Sequence, residues 1–236
     1  MIRVLNVCII IIILVLFLCG CANDFTKIQV TDNYIDNVTL EGLNEDFDTE
    51  YASIALALKD QIALYEEKNS NDNLLRVCKV LSETSPRSEY NDKIVKYYGL
   101  LLEAMTQDRI FWTCVNSELN YINQYMDDYL SALYESNMKD KFRYVISNLE
   151  LYISDPIEIV KTAAHAVSIV EAQQGSEEDY EFLKEMLIRC EQEYADRVDI
   201  IYQAIIAKQI AVCADKLGET ELAKEYTKKG DSLLEL

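Results

Sequence analysis

The chain has 236 residues, with 22 Lys and Arg against 41 Asp and Glu, a net charge of −19, one His, six Gly and two Pro. That charge excludes a nucleic-acid binder, which needs basic surface to displace counterions from phosphate, and it repels the chain from anionic lipid head groups. Half of the residues are hydrophobic, enough for a packed core, while Gly and Pro fall far below their usual shares of about 7% and 5%, so an all-α fold is expected rather than a many-stranded sheet.

Residues 1–20 carry one cation, Arg3, then an apolar run from Val7 to Cys19. At about 1.5 Å per residue the run falls short of the roughly 20 residues that cross a bilayer, and it matches the apolar region of a signal peptide. Leu18-Cys19-Gly20-Cys21 resembles the lipobox of bacterial lipoproteins, with Leu at −3, a small residue at −1 and Cys at +1. The resemblance implies cleavage before Cys21, lipidation of the Cys21 sulfur with palmitate-type acyl chains, and anchoring on the extracytoplasmic face of a bacterial cell membrane, or in the outer membrane of a diderm. Two acyl chains, at about 0.8 kcal/mol per buried CH₂, hold a protein stably where one does not. An ordinary signal peptide or a short membrane anchor is the alternative. Residues 21–45 read as the lipidated Cys and a polar tether rich in Asn, Asp and Thr, and residues 46–236 as the helical domain.

From Asp46 onward apolar residues recur at spacings of three and four, the period of a helix with one buried face. Phe47, Tyr51, Ile54, Leu58, Ile62 and Tyr65 mark the first helix, and a short second one runs from about Asn73 to Ser82, ended by Thr84-Ser85-Pro86. A third carries Ile94, Tyr97, Leu101 and Met105. Phe111, Val115, Leu119, Ile122, Met126, Leu130 and Leu133 then predict one long helix ending at Asn137. Met138, Phe142, Val145, Leu149 and Tyr152 predict a fifth.

Asp155-Pro156-Ile157-Glu158 has the order of an N-cap, a first-turn Pro and a capping-box acid. The helix that follows is closed by Gly175, and Ser176 with Asp179 opens the next. A helix from about Asp196 to Leu217 is apolar on two faces, through Ile201, Ile205 and Val212 and through Ile206, Ile210 and Cys213, which predicts burial on both sides. Gly218 and a last helix from Glu219 to Leu234 close the chain. The short connections predict stacked antiparallel helical hairpins or a helical bundle.

The final hairpin, with Ala211, Ala214, Leu217-Gly218-Glu219, Ala223 and Tyr226, is similar to the tetratricopeptide repeat (TPR), and Ala163, Ala164, Gly175 and Tyr180 repeat it loosely. The resemblance implies close helix pairs stacked into a superhelix over residues 154–236. Gly175 and Gly218 give a period of 43, longer than the standard repeat of about 34. Residues 46–153 show no repeat.

Candidate chemistry is sparse. His165, the one histidine, lies in an Ala-rich helix without the partners of a catalytic triad or a metal site, and reads as a buried or groove-facing structural residue. Cys78, Cys114, Cys190 and Cys213 sit in apolar helical contexts without a C-x-x-C pair, which predicts buried free thiols, with a 190–213 bridge as the alternative. The acids at Glu45-Asp46-Asp48-Glu50 and Glu177-Glu178-Asp179 begin helices and suit the helix dipole better than a Ca²⁺ loop. Tyr121, Tyr125 and Tyr129 form a stripe one position off the seam of the long helix, either the border of the core or one wall of a groove for a peptide or sugar. No catalytic set, metal site or cofactor site is read.

The expected function is a lipid-anchored cell-envelope binding or scaffold protein, not an enzyme, that engages a protein or peptide partner. One alternative is a solute-binding accessory of a transporter, through a resemblance to the TPR lipoproteins of TRAP transporters that implies a tyrosine-lined pocket. A lipoprotein that protects its host against a toxin or phage is the other.

Overall fold

The computed structural model describes residues 47–83, 90–118 and 122–235, with side chains from residue 53 and not over 116–124. Cys21 and the tether lie outside the described residues. Two compact units divide the chain, residues 1–59 and 60–236, and the boundary falls inside the first helix.

Ten α-helices and no strands make up the described residues, so the fold is all-α. They are α1 (Phe47–Glu67), α2 (Asn71–Ser82), α3 (Asn91–Gln107), α4 (Arg109–Glu118), α5 (Ile122–Glu135), α6 (Lys139–Ser147), α7 (Pro156–Ala172), α8 (Glu177–Tyr194), α9 (Ile200–Lys216) and α10 (Thr220–Leu234). The seam assigned to one long helix is carried by α4 and α5, and residues 119–121, which join them, lie outside the described ones. The apolar period is common to both pieces: Phe111, Val115, Met126, Leu130 and Leu133 are all buried. The fifth predicted helix is shorter than expected, because Asn148 leaves the helical region and a 3₁₀ turn follows at Leu149–Leu151. Its apolar face still buries Phe142, Val145, Leu149 and Tyr152, while Met138 is exposed.

Within the second unit alternate helices form a row. Helix α3 packs on α5, α5 on α7 and α7 on α9, while α4, α6, α8 and α10 each fold back on the row helix before them. The alternation reaches back to α3, well before residue 154. Sequence hides it there because the contacts use large rings instead of alanines: Tyr98 of α3 meets Tyr125 of α5 edge to face at 5.2 Å.

The last three hairpins share one turn. Asn137, Gln174 and Gly218 have φ of 57°, 52° and 73°. At each, the next residue's N–H reaches the carbonyl five positions back, as in Met138 to Leu133, Gly175 to Val170 and Glu219 to Ala214, which satisfies carbonyls a helix end would otherwise orphan. In the second hairpin the left-handed residue is Gln174, one before the Gly175 read as closing the helix. Gly175 is needed for space, since a Cβ there would stand 2.2 Å from Val170 Cγ1 and 2.7 Å from the Tyr134 hydroxyl.

Buried polar side chains join neighbouring hairpins. Asp179 accepts hydrogen bonds from Tyr134, Lys139, Arg143 and Ser176 at 2.7–2.9 Å and is 2% exposed. Desolvation pushes its carboxyl up, but those donors outweigh it and hold the group well below the usual carboxylate range. Ser176 and Asp179 also form a capping box at the start of α8. Glu158, the acid expected to complete the box on α7, pairs with Lys161 at 2.7 Å, and the α7 N-cap is Asp155 alone, accepting from Ile157 N–H at 2.9 Å. Lys184, buried on α8, reaches Glu219 at 2.7 Å and Glu181 at 2.9 Å.

Candidate functional site: an open groove on the last hairpin

The α9–α10 hairpin begins at Asp199, whose carboxylate accepts from the N–H groups of Ile201 and Tyr202 and caps α9. Small residues let the two helices approach: a Cβ on Gly230 would stand 2.9 Å from Lys208 Cγ and 3.3 Å from the Ala204 carbonyl. Ala204, Ala207, Ala211, Ala214 and Ala223 are buried.

Two faces of this hairpin differ in kind. On α9, Ile206, Ile210 and Cys213 are fully buried. On α10, Tyr226 and Lys229 reach Glu191 of α8. The opposite face bounds an open groove of about 1150 Å³, walled by Lys208, Val212 and Asp215 on α9 and by Lys224, Thr227 and Asp231 on α10. Ile201 and Ile205 fall on the same stripe of α9 as Lys208 and Val212, at helical spacing. Ile201 is 56% exposed and Leu234, at the end of α10, is 52% exposed. The sequence reading that α9 buries both apolar faces therefore holds for one face only.

Charge in the groove departs from that of the chain. Four lysines and four acids line it, whereas the whole chain carries −19. Lys208 pairs with Asp231 at 3.2 Å, and Lys216 with Glu171 of α7 at 3.5 Å. All four of those side chains are well exposed, so the pairs are individually weak.

The residues singled out from sequence lie elsewhere. Tyr121 is outside the described residues. Tyr125 and Tyr129 are 4% and 1% exposed, core residues that cannot stack on a ligand; burial raises both phenols, Tyr129 to about 12. The stripe could not be assigned by spacing alone, because a tyrosine beside a seam packs inward or outward according to what the next helix brings. Cys78, Cys190 and Cys213 are buried thiols, Cys114 is exposed, and none of the four is in a disulfide, so no 190–213 bridge is formed. Burial pushes Cys190 up to about 11 and Cys213 to about 12.

His165 is more than a third exposed on α7, so of the two readings the fully buried one fails, although its ring is partly desolvated. Burial of its ring lowers the imidazole, and the charge of nearby Asp128 opposes the shift. Asp127 beside it is raised to about 7, first by desolvation and then by Asp128 and Glu158, and its Oδ1 is buried without a hydrogen-bond partner. Among the described residues no group of three or more His, Cys, Asp and Glu converges as a metal site. No helix of the described residues is long and apolar enough to cross a membrane. No family model, curated protein or solved structure matches the chain.

Proposed function

We propose that the protein is a lipid-anchored, non-catalytic binding module of a bacterial cell envelope, built as a TPR-like stack of helical hairpins, and that the α9–α10 groove receives a protein partner. The observation that carries this reading is the groove itself: open, neutral in an acidic chain, and in line along α9 with the exposed Ile201. An enclosed pocket suits a small solute, whereas an open trough bounded by two helices suits a helix or extended segment. Core placement of Tyr125 and Tyr129 takes away the feature that favoured a solute-binding transporter accessory. The lipobox-like Leu18 to Cys21 segment supports the anchor.

A photo-activatable side chain placed at Val212 of the full-length chain in cells tests the groove. A protein adduct is expected from Val212 and not from Glu150, an exposed position on another element, and Ile201→Asp is expected to abolish it. Equal labelling from both positions, or none from Val212, would sink the reading. For the anchor, a globomycin-sensitive mobility shift lost on Cys21→Ala is expected.

A further inference from the structure

The outward stripe of α10 reads Lys224, Lys228, Asp231 and Glu235, at spacings of four, three and four, with Thr227 and Ser232 beside it. All six are exposed. This stripe is its own complement when reversed. Set antiparallel to itself, Lys224 stands opposite Glu235 and Lys228 opposite Asp231, and a two-fold axis between Lys228 and Asp231 generates both pairs twice. A self-matched patch of this kind is what a two-fold symmetric interface requires, since residue i of one copy must meet residue j of the other and j must meet i.

We propose that the groove's occupant is a second copy of this chain, its α10 lying antiparallel on the first copy's α10 with the two hairpins face to face. The inference rests on the reading of the α9–α10 groove as a protein-docking surface and names the partner. Three observations carry it besides the charge order. The groove is the place where four lysines balance four acids, so two chains of −19 can meet there without the repulsion their other surfaces impose. Val212 and Ala223 line the trough, leaving room for a facing helix, and the exposed Ile201 and Leu234 supply apolar surface at one end. The ion pairs that now hold Lys224 to Glu221 and Lys208 to Asp231 are solvent-exposed on both sides, so exchanging them for pairs across the axis costs little.

Charge reversal tests the proposal in the full-length chain, by sedimentation in neutral detergent over a concentration series. Wild type is expected to pass from monomer to dimer as concentration rises, more weakly at high salt. Lys224→Glu with Lys228→Glu gives an all-acidic stripe, and Asp231→Lys with Glu235→Lys an all-basic one. Each is expected to weaken self-association at least about tenfold. Mixing the two is expected to restore dimers, as is the chain with all four reversals, which recreates the match in the opposite sense. The substituted side chains are exposed, and an unchanged helical circular dichroism spectrum verifies the fold. A monomeric wild type at every concentration, or a dimer indifferent to reversal, would overturn the proposal. The mass of the Val212 photo-adduct separates the two levels: twice the chain mass supports the second copy, a different mass overturns it while the docking reading stands, and no adduct removes both.

Discussion

Two carboxylates, Asp127 and Asp179, show burial and hydrogen-bond partners competing with opposite outcomes. Asp127 is raised to about 7 by desolvation and by the charges of Asp128 and Glu158. Because its folded value lies above the unfolded one of about 3.9, the native state binds the extra proton between those values, and stability falls as pH rises through that window. Asp127→Asn is expected to stabilise the protein by about 1–3 kcal/mol at pH 8 and to change little near pH 4, read from urea unfolding at each pH. Asp179 behaves oppositely. Its folded value is depressed, so its contribution is complete above the unfolded value and is lost as pH falls below about 4. Removing the carboxylate by Asp179→Ala leaves Lys139 and the Tyr134 hydroxyl without their acceptor and Arg143 with Glu178 alone. A loss of about 2–4 kcal/mol at neutral pH is expected, set toward the low end for a buried pair because both cations are partly exposed. The thiols give a direct check of burial: iodoacetamide on native protein is expected to modify Cys114 and spare Cys78, Cys190 and Cys213, seen by peptide mass spectrometry.

At the scale of elements, a hairpin turn is fixed by what its last helical carbonyls need, and only part of that is written in residue type. Gly218 announces its left-handed turn because glycine adopts φ of 73° without strain. Gln174 gives no such signal, so the neighbouring glycine drew the assignment, although Gly175 is there to admit Val170 and Tyr134. Gly175→Ala should therefore cost about 1–3 kcal/mol through overpacking, while Gln174→Gly should be neutral or stabilising by up to about 1 kcal/mol; thermal unfolding of the two variants separates the roles. The buried seams of α3, α5 and α6 were legible because each follows a single apolar stripe, and the Ser176 with Asp179 start of α8 because its spacing is that of a capping box. The groove was not: an apolar face on α9 reads identically whether the fold covers it or leaves it open.

At the scale of the second unit, α3, α5, α7 and α9 form one row although α3 and α5 show no sequence repeat. Tyr98 and Tyr125 fill the α3–α5 contact with rings, whereas alanines let α9 and α10 close up. Regular packing therefore does not require a regular sequence. Charge is distributed with the same asymmetry. The last hairpin is nearly neutral along its outer face, so salt should act there differently from elsewhere, loosening matched pairs while relieving the self-repulsion of the acidic remainder.

That outer helix is held in an unusual way. Helix α10 buries only two of its residues, Ala223 and Gly230, against the close-packed α9, and it is tied to α8 through Lys229 and the Tyr226 hydroxyl, both reaching Glu191. A terminal helix with so little of its own surface buried opens at a small fraction of the global unfolding free energy. Amide hydrogens of α10 should accordingly exchange with deuterium well before those of α7 or α8, and sooner in high salt. Any occupant of the groove would slow that exchange, making the end of the chain a local reporter of whether the protein is engaged.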